Sequence, residues 1–550
     1  MRHSLAFGAI AGLLALLPGC SGAEEATDES DITGGGSYVG AQVERRLDAM
    51  YGDQRGKTWN VSSDNAFGKD WVQQVPVAAT WGKSTLDSPP ECKDGAPACD
   101  PDFGLRVCTS DAQCGAGGRC RALASTVAHE GAAPKQLCVG HSDETLDTIY
   151  ETMLSAKSYL DVSSLTPPDG RYAAAVRNAV TRLSERAAPP TVRMLYGDFP
   201  GEFFSAARTE ATLTRDVAKG SKLHLTVGGY RAALSSWNHS KIVAADGRIA
   251  LVGGTNMWTD HYLQGNPVHD ISLRLTGTAA SDAQVFLNQV WEYACKSGSV
   301  TALQPGESCL PAFPGRSASA AGTEGGSKVF AVGRMGKIGK NPGDEALLAV
   351  IDAAKTSLRI AQQDLGPIKR AGITFGDWPE PVLAALLRAA ARGVRIDFAL
   401  SNYGSVGGTP NMFTALSATY SNGWTLEDVQ QTLVDYGKAH PETLGGKDAA
   451  QVLCQNLHLV NLRSSDAAAW PNGKALALHS KLVVADDRAF YLGSENLYRA
   501  DLAEFGYVVD DARVTQELVQ TYFEPLNRYS QKAPANIPQC RRMASGTVTP

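Results

Sequence analysis

The sequence lacks a surplus of positive charge: its 51 lysines and arginines are outnumbered by 57 aspartates and glutamates, for a net charge of −6. This balance gives no electrostatic reason to bind a polyanion, which disfavours a nucleic-acid partner. Beyond the N-terminus the sequence also lacks an apolar run of the roughly 20 residues that a membrane-spanning helix needs. What the 550 residues do contain, 43% hydrophobic and 20% charged, is typical of a globular protein with about two core domains.

The first 20 residues, MRHSLAFGAIAGLLALLPGC, have the pattern of a bacterial secretory signal. One arginine precedes an apolar stretch that is too short to span a bilayer. The ending Leu-x-Gly-Cys is similar to a lipobox, in which Cys20 is lipidated and becomes the first mature residue. We therefore expect export across the inner membrane, either as an outer-membrane lipoprotein or as a secreted extracellular protein. Residues 21–40 are predicted to be a flexible tether.

Cysteine usage favours disulfides, because an even number of the eleven cysteines remains when Cys20 is set aside and the chain is predicted to enter an oxidising compartment. A zinc site is not favoured, since CTSDAQCGAGGRC has neither a CxxC pair nor a nearby pair of histidines. Within an N-terminal region at 41–140, the segment 92–138 is predicted to be a small insert with fifteen possible disulfide pairings. Its cysteines are Cys92, Cys99, Cys108, Cys114, Cys120 and Cys138.

The rest of the chain repeats itself, which predicts two structurally matched lobes. SAKSYLDVSSLTP parallels AAKTSLRIAQQDLG, and each is followed by an Ala-rich helical period and a short apolar strand. Strands that alternate with helices favour an α/β fold with two similar α-β-α sandwich lobes. We place the first lobe at residues 141–295, a Gly-, Ser- and Pro-rich linker at 296–327, the second lobe at 328–540 and a tail at 541–550. In the second lobe, the aromatic side chains of the Gly-rich stretch 402–425 are predicted to pack in a loop rather than contact lipid.

Each half ends in one copy of the same motif: NHSKIVAADGRIALVGGTN at 238–256 and LHSKLVVADDRAFYLGSEN at 478–496. In the first copy His239 and Lys241 are two residues apart, so on a strand they point to the same face. Asp246 with the following glycine is a turn signal between two apolar runs, which predicts a β-hairpin that ends at Gly253 and Asn256. The second copy has the same features at His479, Lys481, Asp486, Gly493 and Asn496.

A duplicated structural hairpin is the simplest alternative, and a lone histidine beside a lysine on a strand would favour it. One chance match to H-x-K-x4-D is expected in about one chain in fifty of this composition, and two copies with matching GxxN endings are far rarer. Polar groups inside apolar hairpins also cost stability unless they have partners. The repeat therefore indicates one site at the lobe interface, to which each hairpin contributes an imidazole, an ammonium and an amide.

This set of side chains suits attack on a phosphodiester. Two ammonium groups and two amides neutralise the charge that gathers on the equatorial oxygens of the transition state, with no metal or cofactor needed. One neutral histidine attacks phosphorus, while the other protonates the leaving alkoxide and then activates the incoming hydroxyl. A carboxylate usually holds such an imidazole in one tautomer, and Asp270 and Glu504 are the candidates. The turn residues Asp246 and Asp486 are assigned to shaping the hairpins.

The paired motifs resemble those of the phospholipase D superfamily, whose signature is HxKxxxxD followed by GSxN or GGxN. The similarity is closest to the secreted actinomycete-type bacterial phospholipases D, through SSWNHSKIVAADGRIALVGGTNMWTDHYLQGNPVHDISLRLTG, AQQDL, LCQNLHLVNLRSS and ALALHSKLVVADDRAFYLGSENLYRADLAEFGYVV. It implies lobes related by a pseudo-two-fold axis, and cleavage of phosphatidylcholine and related phospholipids at a membrane surface to phosphatidic acid. Water or an alcohol is the implied acceptor, so head-group exchange is expected as well. We expect a monomer that needs no cofactor and binds no nucleic acid.

The resemblance also assigns roles within the motifs. It makes His239 the nucleophile and His479 the general acid and base, and it supports Asp270 and Glu504 as the orienting acids. The sequence departs from the usual family pattern at Glu504, where an aspartate is common. Because glutamate is one methylene longer, we expect the tuning of His479 to differ from the family.

Two further departures lie close to the motifs, since Thr255 stands where the family usually has an aliphatic residue and His269 where it has a serine. The resemblance implies two disulfides late in the lobes. These are Cys295 with Cys309 and Cys454 with Cys540.

Two other functions stay open at this point. The first is a nuclease of the same superfamily, which the acidic balance disfavours. The second is a surface binding protein in which the cysteine-rich insert recognises a partner and the lobes only carry it. Intact copies of both motifs argue against a protein without catalytic activity.

Overall fold

The computed structural model describes most of the chain from residue 36 to residue 544. The described ranges are 36–86, 92, 98–115, 118–198, 204–233, 236–297, 300–302, 313–314, 326–370, 373–405, 420–498, 500–532, 534–535 and 537–544. The predicted signal with Cys20, most of the tether and Cys309 lie outside the described residues. So do most of the linker and the end of the tail.

The helices and strands follow the predicted alternation. The helices are α1 (Tyr38–Tyr51), α2 (Thr145–Leu154), α3 (Gly170–Ser184), α4 (Ala206–Leu213), α5 (Thr259–Tyr262), α6 (Ala279–Ser297), α7 (Pro342–Ala353), α8 (Glu380–Ala391), α9 (Leu426–Ala439), α10 (Ala449–Asn456), α11 (Ala512–Leu518), α12 (Glu524–Ser530) and α13 (Pro538–Ala544). The strands are β1 (Trp59–Asn65), β2 (Val72–Val75), β3 (Arg119–Leu123), β4 (Lys135–Val139), β5 (Tyr159–Ser164), β6 (Thr191–Gly197), β7 (His224–Ala233), β8 (Ser236–Trp237), β9 (Ile242–Ala245), β10 (Ile249–Gly253), β11 (Val268–Thr276), β12 (Val300–Ala302), β13 (Ser327–Met335), β14 (Ser357–Gln362), β15 (Ile368–Arg370), β16 (Ile373–Phe375), β17 (Arg395–Leu400), β18 (Leu457–Asn461), β19 (Ala477–Leu478), β20 (Lys481–Ala485), β21 (Ala489–Gly493) and β22 (Ala503–Asp510).

Several helices begin where the sequence supplies a cap. Thr425 and Asp428 form a capping box at the start of α9, in which the threonine side chain accepts from the Asp428 N–H and the aspartate accepts from the Thr425 N–H. At α11 the Asp511 side chain accepts from the backbone N–H groups of Arg513 and Val514. These caps satisfy N–H groups that have no partner within the helix.

The two lobes share one strand order. In the first lobe the sheet runs β12-β7-β6-β5-β9-β10-β11-β19, and in the second it runs β1-β13-β22-β21-β20-β14-β17-β18. The segment β7-β6-β5-β9-β10-β11 thus corresponds to β18-β17-β14-β20-β21-β22. In each lobe the outer three strands of this segment are parallel and are joined by helical crossovers, while the motif hairpin is antiparallel. The predicted α/β class with two matched lobes is confirmed.

The N-terminal segment contributes to both lobes. Strand β1 pairs with β13 at the edge of the second sheet, and α1 packs against α7 of the same lobe. Strand β2 pairs instead with β11 of the first sheet. At the beginning of α1, the backbone N–H of Ser37 donates to the carboxylate of Asp510 at the end of β22. The chain therefore connects the lobes through this segment before the first lobe begins.

The lobes meet through a buried apolar core and through paired strands. The rings of Phe286 and Phe505, one from each lobe, lie 5.1 Å apart within this core. Strand β11 of the first lobe pairs in parallel with β19, so His269 lies opposite Leu478. An isolated β-bridge between Asn238 of the first lobe and Ala503 of the second makes the corresponding contact between the first motif and β22. As a result, the beginning of each motif hairpin lies against the last strand of the opposite lobe.

The insert is held by disulfides, as predicted. The bonds join Cys92 to Cys99, Cys108 to Cys120 and Cys114 to Cys138. The sulfur atoms of Cys108, Cys114 and Cys120 cluster within 4.8 Å, and all three are used in disulfides. No other group of metal-ligand side chains is found in the described ranges.

The second lobe has the disulfide that the family resemblance implied, between Cys454 on α10 and Cys540 on α13. The pairing of Cys295 with Cys309 cannot be followed, because Cys309 is not among the described residues. Among the helices of the described part of the chain, none combines the length and the hydropathy needed to cross a bilayer.

Candidate active site

Each motif aspartate lies at the turn of its hairpin and holds the neighbouring strand. Asp246, at φ 53°, accepts hydrogen bonds of 2.7, 2.8 and 2.8 Å from three successive backbone N–H groups at 157–159. Asp486, also at φ 53°, accepts 2.8, 2.8 and 2.7 Å bonds from the equivalent groups at 355–357. A short polar side chain tolerates this left-handed conformation better than most. The structure thus places both aspartates at the ends of the hairpins opposite to the histidines.

The two motif histidines lie together at the lobe interface. Their ring centroids are 6.5 Å apart with the planes inclined by 76°, and the residues are 5% and 4% exposed. The backbone N–H of His239 donates to the carbonyl oxygen of Ala503 at 2.8 Å, and that of His479 donates to the carbonyl oxygen of His269 at 2.7 Å. Each histidine is therefore positioned by the opposite lobe.

The orienting carboxylates are exchanged between the lobes. Nδ1 of His239 lies 2.7 Å from Oε1 of Glu504, and Nδ1 of His479 lies 2.7 Å from Oδ2 of Asp270. The prediction that the longer Glu504 tunes His479 is therefore wrong. The reason is the strand pairing across the interface, which brings the start of β22 to the first hairpin and the start of β11 to the second.

Besides its histidine, each carboxylate has a different kind of partner. Asp270 accepts from the hydroxyl of Tyr262 at 2.9 Å through Oδ2, and from its neighbouring backbone N–H at 2.8 Å through Oδ1. Glu504 accepts through Oε2 from Nη1 of Arg334 at 3.1 Å. A carboxylate on Nδ1 leaves Nε2 as the reactive nitrogen of each ring.

The ammonium groups of the two motif lysines are buried beside the histidines. Nζ of Lys241 donates to the carbonyl oxygen of His239 at 2.7 Å, and Nζ of Lys481 donates to the carbonyl oxygen of His479. A lysine ammonium has three donors, so each side chain retains donors for a ligand. Both lysines are at most 4% exposed.

The motif asparagines have polar atoms without partners. Asn256 is 1% exposed, and neither its Nδ2 nor its Oδ1 has a hydrogen-bond partner in the described structure. Asn496 donates from Nδ2 to the hydroxyl of Tyr498 at 2.8 Å, and its Oδ1 has no partner there. An orphaned amide in a dry site is costly unless a ligand completes it. Amide donors beside two ammonium groups fit an anion.

Burial sets the electrostatics of the site. It lowers the pKa of His239 and His479 well below 6.5, and the nearby Lys241 and Lys481 lower both further. Burial raises the pKa of Asp270 to about 7, against the attraction of Lys481. These effects favour unprotonated imidazoles at neutral pH, and a bound anion would favour the protonated form of the ring that must donate.

The comparisons with known proteins agree with this geometry. No protein-family model matches the chain. A phospholipase D from Streptomyces antibioticus is 32% identical over 461 residues, which is 73% of this chain and 79% of that protein. The chain belongs to the phospholipase D family. It is accordingly an enzyme.

Solved structures give more distant likenesses. A phosphatidylserine synthase from Haemophilus influenzae has a TM-score of 0.48 at 14% identity and covers 72% of this chain and 85% of its own. A polyphosphate kinase from Porphyromonas gingivalis has a TM-score of 0.35 at 11% identity, with 69% and 47% covered.

One glycine of the phospholipase D motif is required by close approach. A Cβ added at Gly254 would overlap Oδ1 of Asp270 and lie 3.0 Å from the carbonyl oxygen of His479. We predict that Gly254→Ala displaces the carboxylate that orients His479 and lowers kcat by about 100-fold, because displacements near 1 Å have effects of that size. Gly52→Ala is the control, since nothing lies within 4 Å of its Cβ position. Wild-type kcat in Gly254→Ala, measured alongside circular dichroism to confirm folding, would contradict the close-packing argument.

The alkaline pH dependence follows from Lys481. Burial lowers the pKa of Lys481 to about 8, although the attraction of Asp270 opposes this. The ammonium is present below that pKa and is lost as the pH rises through it, so kcat/KM for a phosphodiester is expected to fall above about pH 8. The control is Lys481→Met, in which the part of this fall that belongs to Lys481 should be absent, while any remaining fall belongs to Lys241, whose pKa burial also lowers. A wild-type profile that stays flat to pH 10 would show that Lys481 does not titrate there.

Three site residues were missed at the level of sequence: Tyr420, Arg334 and Tyr262, which donates to Asp270. Tyr420 comes from the Gly-rich stretch of the second lobe, yet its hydroxyl lies 2.8 Å from Nδ1 of His261 in the first lobe. Its ring meets that of His479 edge-on at 4.9 Å. The only signal for Tyr420 was its place among the aromatics of that stretch. No motif marks Arg334.

Proposed function

We propose that the enzyme cleaves the head-group phosphodiester of phosphatidylcholine-like phospholipids through a covalent phosphohistidine. Nε2 of His239 attacks phosphorus and forms a P–N bond, while the P–O bond to the head-group alkoxide breaks and that oxygen takes a proton from Nε2 of His479. His479 then removes a proton from water or an alcohol, whose oxygen attacks phosphorus and breaks the P–N bond. The products are the free head-group alcohol and either phosphatidic acid or an exchanged phospholipid.

The observation that carries this proposal is the pair of buried imidazoles at 6.5 Å, each with a carboxylate on Nδ1. We infer that one phosphoryl group binds between the two rings. In-line displacement needs such an arrangement, with a nucleophile on one side of phosphorus and an acid on the other. The assignment of attack to His239 rests on the phospholipase D resemblance.

The lysines and asparagines supply charge stabilisation for this reaction. Lys241 and Lys481 keep donors beyond their carbonyl bonds. Nδ2 of Asn256 has no partner among the described residues, and Nδ2 of Asn496 keeps one N–H beyond its bond to Tyr498. Preorganised donors that face developing charge typically contribute about 10²–10³ in rate each. The site has the groups it needs to stabilise a phosphorane-like transition state without a metal ion.

We further propose that the enzyme acts at membrane surfaces after export, as a secreted protein or as a lipoprotein anchored at Cys20. The N-terminal pattern and the Leu-x-Gly-Cys ending support export. The net charge of −6 supports a lipid rather than a nucleic-acid substrate.

The test is a parallel assay of the mature protein. It is incubated with phosphatidylcholine micelles plus ethanol and, separately, with plasmid DNA. Phosphatidylethanol is expected with the first substrate and no nicking with the second, and neither result should change when EDTA is added. Nicking of DNA without phosphatidylethanol would refute the proposal in favour of a nuclease. When a motif histidine is replaced by asparagine in this assay, His440→Asn is the matched control. His440 is exposed and pairs with Glu442 away from the site.

A further inference from the structure

The carboxylate that orients His239 is itself held by an arginine. Arg334 on β13 lies directly opposite Glu504 on β22 in the sheet register. Nη1 of Arg334 donates to Oε2 of Glu504 at 3.1 Å, while Oε1 of the same carboxylate lies 2.7 Å from Nδ1 of His239. Glu504 therefore bridges a guanidinium and the imidazole, and all three side chains are buried.

Other charged groups also face this bridge. Nε of Arg334 lies 3.1 Å from Oδ1 of Asp344 at the start of α7, and Glu495 of the second motif is buried beside them. Burial, followed by repulsion from Asp344, raises the pKa of Glu495 well above 4.5. Burial thus favours the neutral form of Glu495, while the guanidinium of Arg334 lies between the carboxyl groups of Asp344 and Glu504.

On its other side, Glu504 faces the ammonium groups of Lys241 and Lys481. Burial is nevertheless the largest influence on Glu504, and it raises the pKa of this carboxyl above its usual range. A buried carboxylate of this kind remains ionised at neutral pH only with help from nearby positive charge.

The first lobe has no such arrangement among its described residues. Asp270 is held by the hydroxyl of Tyr262 and a backbone N–H, and both of these donors are neutral. Glutamate also has one more rotatable bond than aspartate, so its carboxylate is positioned less firmly by its own strand. A planar guanidinium directly across the strand pair supplies the missing constraint.

We propose that Arg334 is a positioning residue for the nucleophile. It holds Glu504 in place and favours its ionised form, so that Glu504 keeps the proton on Nδ1 of His239 and directs the Nε2 lone pair at phosphorus. The role rests on the proposed function of His239 as the attacking group. It also gives the two histidines different surroundings, with a charged support behind His239 and a neutral one behind His479.

The experiment compares Arg334→Met and Arg334→Lys with Arg359→Met. Arg359 is the matched control, because it makes two 2.8 Å hydrogen bonds to Asp487 at the turn of the second hairpin, at the end opposite to the histidines. In Arg334→Met we expect kcat to fall by about 10- to 100-fold, which is typical when a group that supports a reactive residue is removed. KM should change little, and Arg334→Lys should recover part of the loss. The double variant Arg334→Met with Glu504→Gln should be no slower than Glu504→Gln alone, because both changes remove the same support of His239.

The pH profile separates positioning from folding. Without the arginine, Glu504 requires a higher pH to ionise. The pH at which kcat falls on the acid side of its profile should therefore be higher in Arg334→Met and unchanged in Arg359→Met. A wild-type kcat and a wild-type acid side of the profile in Arg334→Met would overturn the inference. So would an equal loss of kcat in Arg359→Met, since that would indicate a general effect on the lobe.

A spectroscopic measurement judges the inference independently of turnover. The downfield Nδ1 proton signal that disappears in His239→Asn is assigned to His239, and it should shift or broaden in Arg334→Met but not in Arg359→Met. If this signal is unchanged in Arg334→Met, the positioning role is refuted. If it changes while the wild-type enzyme makes no phosphatidylethanol, the lipid substrate is wrong and the Arg334 bridge stands.

Discussion

Replacement of His239 by asparagine is expected to lower kcat on phosphatidylcholine by about 10⁴- to 10⁶-fold, the range found when a nucleophile is removed from a site that acts as a unit. Asparagine preserves much of the volume and can still contact Glu504, but it has no nitrogen lone pair that can attack phosphorus. Turnover is measured as choline release and as phosphatidylethanol formation in the presence of ethanol. Both should disappear together, because hydrolysis and exchange share the phosphohistidine.

The control for this variant is substrate binding. His239→Asn should still bind phosphatidylcholine micelles, since the lysines and asparagines that we propose to contact phosphate are intact. Retention of full activity would refute the covalent route through His239. Loss of hydrolysis with exchange preserved would show that the two reactions do not share an intermediate.

Asp270→Asn is expected to lower kcat on phosphatidylcholine by about 10⁴-fold, as when the acid that orients a catalytic histidine is replaced by its amide. The reason is the exchange of carboxylates across the lobes: Asp270 lies 2.7 Å from Nδ1 of His479, the proposed general acid, and not beside His239. Without the carboxylate, His479 is held in the wrong tautomer and its imidazolium is not stabilised. The choline alkoxide, a poor leaving group, is then released without a proton.

A change of leaving group tests this assignment. A phosphatidyl ester of p-nitrophenol needs little protonation to leave, so the first step with this ester should be affected much less by Asp270→Asn. Glu504→Gln should slow the first step on both substrates, because Glu504 supports the attacking ring. If instead Asp270→Asn slows the two substrates equally and Glu504→Gln spares the p-nitrophenyl ester, the two histidines have each other's roles.

Much of the architecture could be predicted from sequence because the signals are local. The apolar runs and the Asp-Gly or Asp-Asp turns between them mark the motif hairpins, and the repetition of helix and strand gives two lobes. The groups within one hairpin, such as His239 and Lys241, are related by strand geometry alone. Their common face therefore follows from a spacing of two.

The contacts that could not be predicted from the sequence all join segments that are far apart in the chain. Glu504 follows the second motif in the chain and lies beside the first histidine in space, because docking of the lobes decides which strand end meets which hairpin. Arg334 lies opposite Glu504 only through the pairing of β13 with β22. Tyr420 reaches His261 across the interface from a loop with no periodic pattern.

The most direct test of the central claim is to identify the residue that becomes covalently modified. His479→Asn is mixed with the phosphatidyl ester of p-nitrophenol, quenched in alkali and digested for mass spectrometry. This variant can form the intermediate with so good a leaving group, yet it lacks the base that activates water, so the intermediate should accumulate. We predict one phosphatidyl group per chain, on the peptide that contains His239. A phosphatidyl group on any other residue, or a stoichiometric burst of p-nitrophenol with no modified peptide, would contradict the account.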